Sequence, residues 1–323
     1  MQTPLNKAII GPAAWTASNL PTRAGRMELG DAASDEISRL GDVLAANPIP
    51  IEALRPDDFE LPRCRAVMAE ARSALLEGPG FAIIDRLPLE RMDTETARKV
   101  YWLMISLLGP PVAQKWSGEM IYDVTDTGLR EEAGNGVRSS KTNQGQYYHT
   151  DNSFNLPPEF VALFCLRPAK NGGVSGLVSF QTAYNCLLAE RPELIGRYFQ
   201  PFYFDRQHEH APDDDRLSFK PVIAARAAGV EVCFSRRLIE YGYELSDTAM
   251  DDDTCDAVTA LCEILERPEL NIAFEFQPGQ IQIVDNRRMG HRRTAYEDWP
   301  DSDRRRHLVR LWVRRQGRPF YLG

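Results

Sequence analysis

Several features that would assign this chain to a class at once are missing or scarce. Cysteine is limited to Cys64, Cys165, Cys186, Cys233, Cys255 and Cys262, with no CxxC pair. Most of these sit in apolar runs such as Phe164-Cys165-Leu166 and Val232-Cys233-Phe234. They read as small buried apolar residues in a reducing compartment, which excludes a disulfide framework and a cysteine zinc site. No run reaches 18 apolar residues, and the N-terminus lacks a charged-then-apolar leader. No membrane span is expected, and a cytoplasmic location is. No Gly-rich phosphate loop of the P-loop or dinucleotide type occurs, and no internal repeat. The net charge is −8, and the basic residues are scattered apart from Arg304-Arg305-Arg306 and Arg314-Arg315. That balance excludes a nucleic-acid partner.

What remains is a 323-residue chain of ordinary globular composition. It reads as one domain over 1–323, with an N-terminal extension to about residue 55 and a core from about 55 to 315. Residues 62–77 repeat at helical spacing, with Val67, Ala71 and Leu75 on one stripe and Gly78-Pro79-Gly80 as the stop. A second helix is expected over 93–108 and others over 182–190 and 253–266. Strands are expected at 81–84, 121–124, 160–166, 175–180, 200–205, 219–224, 230–235 and 306–314. Ala273–Phe276, Pro278-Gly279 and the alternating Ile281 and Ile283 read as a hairpin. Helices followed by many short strands point to a mostly β fold with flanking helices, a sandwich or jelly roll. Residues 125–145 are polar and Gly-rich, a loop of the length found in functional or disordered segments.

Histidine is also scarce: His149, His208, His210, His291 and His307. In an extended segment, residues i and i+2 share a face, so His149 and Asp151 can offer an imidazole and a carboxylate to one point. A second imidazole would complete two histidines and a carboxylate on one side of a metal, leaving the other side open, as in non-haem Fe(II) oxygenases. His208-Glu209-His210 is a rival triplet. It lies in an acidic, Pro-containing stretch without strand signals and reads as solvated loop, because metal ligands need rigid support. On the final strand, Arg306 and Arg310 share a face while His307 points away. A guanidinium grips a carboxylate through two parallel hydrogen bonds, so both arginines are candidates for anion binding.

Four pieces of sequence carry a family resemblance, in order: Tyr148-His149-Thr150-Asp151-Asn152, Gly172-Gly173-Val174-Ser175, Asp285-Asn286-Arg287-Arg288-Met289-Gly290-His291-Arg292-Arg293-Thr294-Ala295-Tyr296, and Arg306-His307-Leu308-Val309-Arg310-Leu311-Trp312. Over about residues 55–315 the chain resembles the Fe(II)- and 2-oxoglutarate-dependent dioxygenases of the taurine dioxygenase type, relatives of clavaminate synthase. The resemblance implies a double-stranded β-helix, a form of jelly roll. It implies His149, Asp151 and His291 as ligands of Fe(II), with 2-oxoglutarate and O2 as cosubstrates. It also implies Arg306 and Ser175 at the far carboxylate of 2-oxoglutarate, and Arg310 at a cosubstrate or an acidic group of the substrate. Tyr148, Asn143, Arg138 and Lys141 are further candidates for substrate contact. Arg293, two residues after His291, reads as a structural residue or a support for the metal ligands. The implied reaction couples decarboxylation of 2-oxoglutarate, giving succinate and CO2, to hydroxylation or desaturation of an unactivated C–H bond in a small molecule. Halogenating relatives lack the carboxylate that Asp151 supplies. Two other readings stay open: a cupin-like metal enzyme that does not use 2-oxoglutarate, and a jelly-roll binding protein without catalysis. Homo-oligomerisation is not legible.

Overall fold

Strand Phe160–Arg167 sits inside a seven-stranded sheet in a computed structural model that describes residues 3–317. From one edge the order is Arg26–Met27, Phe81–Ile84, Ile281–Asp285, Phe160–Arg167, His307–Val313 and Pro111–Val112, with Ile121–Val124 also paired to His307–Val313. The near-continuous apolar runs of these strands follow from cover on both faces. Phe160, Ala162, Phe164, Ile281, Ile283, Val309 and Leu311 pack against helices Asp31–Ala46, Pro62–Leu76 and Thr94–Ser106. Val161, Val284 and Trp312 point the other way, into a cluster with Tyr148, Leu177 and Val178 of a smaller sheet. Each fully buried Phe or Ile contributes roughly 1.5–3 kcal/mol.

The smaller sheet runs Asn271–Phe274, Ser175–Ser179, Met289–Arg293, Gln146–His149. Helices Phe180–Glu190 and Asp252–Leu265 supply residues to the same cluster. Two of the expected helices start on side-chain caps: Asp93 accepts from the Thr96 N–H at 2.7 Å and Asp251 from the Thr254 N–H at 2.8 Å, while Pro62–Leu76 starts on a proline without one. The α-helices hold at least as many residues as the strands, so the architecture is mixed rather than mostly β. The large sheet needs helical cover on one face, and that cover accounts for the difference.

The expected hairpin at Pro278-Gly279 does not form. Asn271–Phe274 pairs with Ser175–Ser179 in the smaller sheet, while Ile281–Asp285 runs between Phe81–Ile84 and Phe160–Arg167 in the larger. The turn carries the chain from one sheet to the other. Gly279, at φ +89°, donates to the Cys165 carbonyl and accepts from the Leu87 N–H, which tie the crossing in place. Ile281, Ile283 and Val284 are fully buried, which a two-stranded hairpin could not provide.

Helix Arg236–Leu245 was not legible either. It lacks a side-chain cap and carries Gly242 in its interior. That glycine is needed because a Cβ there would lie 2.5 Å from the Tyr203 backbone. Among the described residues no helix is long and apolar enough to cross a membrane. Of the six free cysteines, Cys64, Cys165 and Cys262 are buried, Cys186 and Cys233 are partly so, and Cys255 is exposed, against the buried reading.

Candidate metal centre

His149 ends a strand of the smaller sheet, and the turn that follows is pinned from two sides. Thr150 donates its N–H to the Phe234 carbonyl at 2.8 Å, and its hydroxyl accepts from the Phe234 N–H at 3.0 Å. Asn286 accepts the Asp151 N–H at 2.7 Å and donates to the Asp151 carbonyl at 2.9 Å. Asn152 then leaves in the left-handed region, at φ 54°. His291 lies directly across the sheet from His149. These constraints bring one ligand atom from each of His149, Asp151 and His291 within 4.8 Å of one another, and this is the one such cluster among the described residues.

The two carboxylate oxygens have different roles. Asp151 Oδ1 lies 3.6 Å from His149 Nε2 and 3.5 Å from His291 Nε2. Asp151 Oδ2 accepts from the Trp312 indole N–H at 2.7 Å and meets Arg310 Nη1 at 3.0 Å. One oxygen is thus held by the protein and the other faces the two imidazoles. Burial would raise the Asp151 carboxyl, but Arg310 and the imidazoles outweigh it and hold the group well below the usual range. Burial, then the neighbouring His149, push His291 below its ordinary value. His149 Nδ1 lies 2.9 Å from the Tyr147 carbonyl, which fixes the tautomer with Nε2 free. An ionised carboxylate and two neutral imidazoles are what a divalent metal requires.

Two spaces meet at these residues. An outer cleft is lined by Glu131, Arg138, Tyr147, Arg237 and Trp312. An inner chamber is lined by Ser175, His291, Arg293 and Arg306. His149, Asp151 and Arg310 border both.

The model of the family described as Taurine catabolism dioxygenase TauD, TfdA family matches residues 46–312. The chain belongs to this family. The TauD/TfdA-family chain is 29% identical over 331 residues to FR-33289 synthase of Streptomyces rubellomurinus, covering 98% of this chain and 93% of that protein. It is 25% identical to a uridine-5'-phosphate dioxygenase of an Amycolatopsis species, covering 78% and 94%. The fold is similar to an asparagine oxygenase solved with Fe(II), 3-hydroxyasparagine and succinate, at TM-score 0.66 and 19% identity over 90% of this chain and 94% of that one. It is also similar to the non-haem iron oxygenase OrfP solved with Fe and alpha-ketoglutaric acid, at TM-score 0.64 and 16% identity with the same coverage. Family membership, joined to the His-Asp-His donor set, makes the protein a dioxygenase and an oxidoreductase that uses iron and 2-oxoglutarate.

The other expected residues of this dioxygenase divide. Arg306 and Arg310 both reach the inner chamber despite a register shift between His307 and Leu308. His307 points away, 2.8 Å from Asp123, whose carboxyl burial would raise but which His307 and Arg98 hold at about 2. Ser175 lines the chamber, but its hydroxyl is donated to Gln282 at 2.6 Å. Arg138 lines the cleft, paired with Glu209 at 2.6 Å. Glu209 is buried by that pair and by the Trp116 N–H, so the rival triplet is not simply solvated loop, though it gathers no metal site. Two candidates are corrected. Tyr148 faces the core, its ring under Arg292, because it alternates with His149; Tyr147, on the His149 side, lines the cleft instead. Asn143 is exposed and lines neither space. Lys141 caps the Asp123 carbonyl. Trp312 and Asn286 stand in the family motifs without a role assigned to them, and the buried Gln114, which accepts from Arg310 Nε at 2.7 Å, carries no signal in the sequence.

Trp312→Phe is expected to weaken Fe(II) binding by roughly 10- to 100-fold, since it frees the carboxylate oxygen that the indole holds. Competition with a coloured chelator measures this, and unchanged affinity would assign Trp312 to packing alone.

Proposed function

We propose that His149, Asp151 and His291 bind Fe(II) through one face, and that the double-stranded β-helix expected of the family frames them. In this reading 2-oxoglutarate lies in the inner chamber with its far carboxylate on Arg306, and a small substrate lies in the outer cleft. Bound together, iron, 2-oxoglutarate and O2 supply the oxidation: one oxygen atom enters succinate as CO2 leaves, and the other serves the substrate. The protein's part is orientation and water exclusion. Arg310 and Trp312 hold Asp151 Oδ2 so that Oδ1 is offered to the metal. Arg306, buried and without an ion pair among the described residues, supplies the anion site. Loop 125–145 shields the cleft; Glu131 within it pairs with Arg237, and Arg138 with Glu209.

The observation that carries this reading is that His149 and Asp151 border both spaces while His291 lines the inner one, so cosubstrate and substrate can approach one metal from different sides. A metal enzyme without 2-oxoglutarate would have no use for a buried, unpaired Arg306. The outcome is hydroxylation or desaturation of an unactivated C–H bond. An acidic group on the substrate fits a cleft lined by Arg138, Arg236, Arg237 and Arg310 against Glu131 and Asp151. An amino-acid-like substrate is consistent with the hydroxyasparagine and hydroxyarginine held by the two similar oxygenases.

The test is an anaerobic titration. Fe(II) followed by 2-oxoglutarate should produce the weak visible charge-transfer band of a chelated 2-oxo acid. Metal binding without the band would reject the cosubstrate assignment, and no metal binding would reject the triad.

A further inference from the structure

Arg293 follows His291 by two residues, so both side chains project from one face of strand Met289–Arg293, separated along it by roughly 6.8 Å. Its side chain lines the inner chamber and is 5% exposed. Only Nη2 is engaged, by the Thr142 carbonyl at 3.1 Å and the Gln144 carbonyl. Nε and Nη1 are buried without a partner, as is Arg306 Nη1 across the chamber. Both guanidiniums lie over the Tyr296 ring, at 4.8 and 5.0 Å.

Among the described residues no protein anion answers these donors. The one carboxylate lining the chamber is Asp151, and its Oδ2 is taken by Arg310 and Trp312. Asp298 lies nearby, but its Oδ1 accepts the Arg306 backbone N–H, and it forms no ion pair with either guanidinium. Ser175, the hydroxyl expected beside Arg306, is committed to Gln282. Two buried cations with unused N–H groups on one cavity need an anion that accepts from both. A carboxylate has about four lone-pair sites on two oxygens, enough for two guanidiniums.

We propose that Arg293 is a second anion clamp, which with Arg306 holds the far carboxylate of the 2-oxo-acid cosubstrate. This rests on the function proposed above. The chamber then demands a dicarboxylate: the 2-oxo-acid end goes to the metal, and the far end is read by two arginines in place of an arginine and a hydroxyl. Support of loop residues 142–144 uses one nitrogen of Arg293 and leaves the other two for the ligand.

The experiment uses the full chain loaded anaerobically with Fe(II), with the charge-transfer band as readout. Arg293→Ala and Arg293→Lys are titrated with 2-oxoglutarate and with 2-oxobutyrate, which lacks the far carboxylate. Loss of one or two charge-assisted hydrogen bonds should raise the Kd for 2-oxoglutarate by about 10- to 100-fold in the Ala variant. The Lys variant should fall between it and the native chain. The Kd for 2-oxobutyrate and the affinity for Fe(II) should stay unchanged in both. An equal loss for both 2-oxo acids would reduce Arg293 to a loop support, and no loss for either would remove it from the site; each result overturns the proposal. Should the Ala variant fail to fold, the Lys variant alone decides by the same comparison. If the native chain forms no band with 2-oxoglutarate, the function proposed above falls and this clamp with it. A normal native band with unaffected variants overturns the clamp alone.

Discussion

His149→Ala and Asp151→Ala each lose Fe(II) binding, and succinate release falls by about 10³-fold or more in both. The two variants should nevertheless differ in stability. His149 contributes one hydrogen bond to the Tyr147 carbonyl and is the most accessible of the three ligands, so its truncation leaves little behind. Asp151 is buried, and its Oδ2 answers Arg310 and Trp312. Truncating it strands a buried guanidinium, which costs about 3–5 kcal/mol. Thermal unfolding of the metal-free proteins should therefore show a lower Tm for Asp151→Ala, with a cooperative transition kept, and a near-native Tm for His149→Ala. The separation matters because loss of activity alone does not distinguish a missing ligand from a damaged fold. Turnover retained by either variant would reject the site.

The parts of this site that were legible depend on local periodicity. His149 and Asp151 stand two apart, and a two-residue repeat places them on one side without knowledge of the rest of the fold. The same rule separates Arg306 and Arg310 from His307, and it would have chosen Tyr147 over Tyr148 had it been applied one step back from His149. The apolar runs at 81–84 and 160–166 identify buried strands for a related reason: cover on both faces leaves no polar alternation. What was not legible depends on contacts between distant segments. Trp312 reaches Asp151 across 161 positions and Gln114 reaches Arg310 across 196. No local pattern marks a Gln or a Trp as the partner of a carboxylate or an arginine elsewhere in the chain. The hairpin at Pro278-Gly279 failed for the complementary reason. Its turn chemistry was read correctly as a reversal, but strand pairing is decided by which neighbours can bury Ile281 and Ile283, and these lie at 81–84 and 160–167. Arg293 combines both cases. Its spacing from His291 was visible, while the absence of any carboxylate partner was not.

Arg306→Ala should raise the Kd for 2-oxoglutarate by about 10²- to 10³-fold, because it removes a forked pair of charge-assisted hydrogen bonds in a buried site. Arg306→Lys should recover only part of this, since an ammonium cannot reproduce two parallel N–H donors. The sign of the stability change separates this role from a structural one. In the free protein Arg306 is buried, with Nη1 unpartnered and no ion pair, and burial pushes its guanidinium below the usual range. Removing a buried cation that has no ion pair among the described residues should leave the Tm of the ligand-free protein unchanged or higher, the opposite of Asp151→Ala. A structural salt bridge would instead give a lower Tm. Ligand linkage supplies the second readout: 2-oxoglutarate with metal at 100 times Kd should stabilise the native chain by about 2.7 kcal/mol. The same concentration should barely shift Arg306→Ala, whose site is then far from saturation. A variant that unfolds earlier without ligand and is stabilised normally by 2-oxoglutarate would place the cosubstrate's far carboxylate elsewhere.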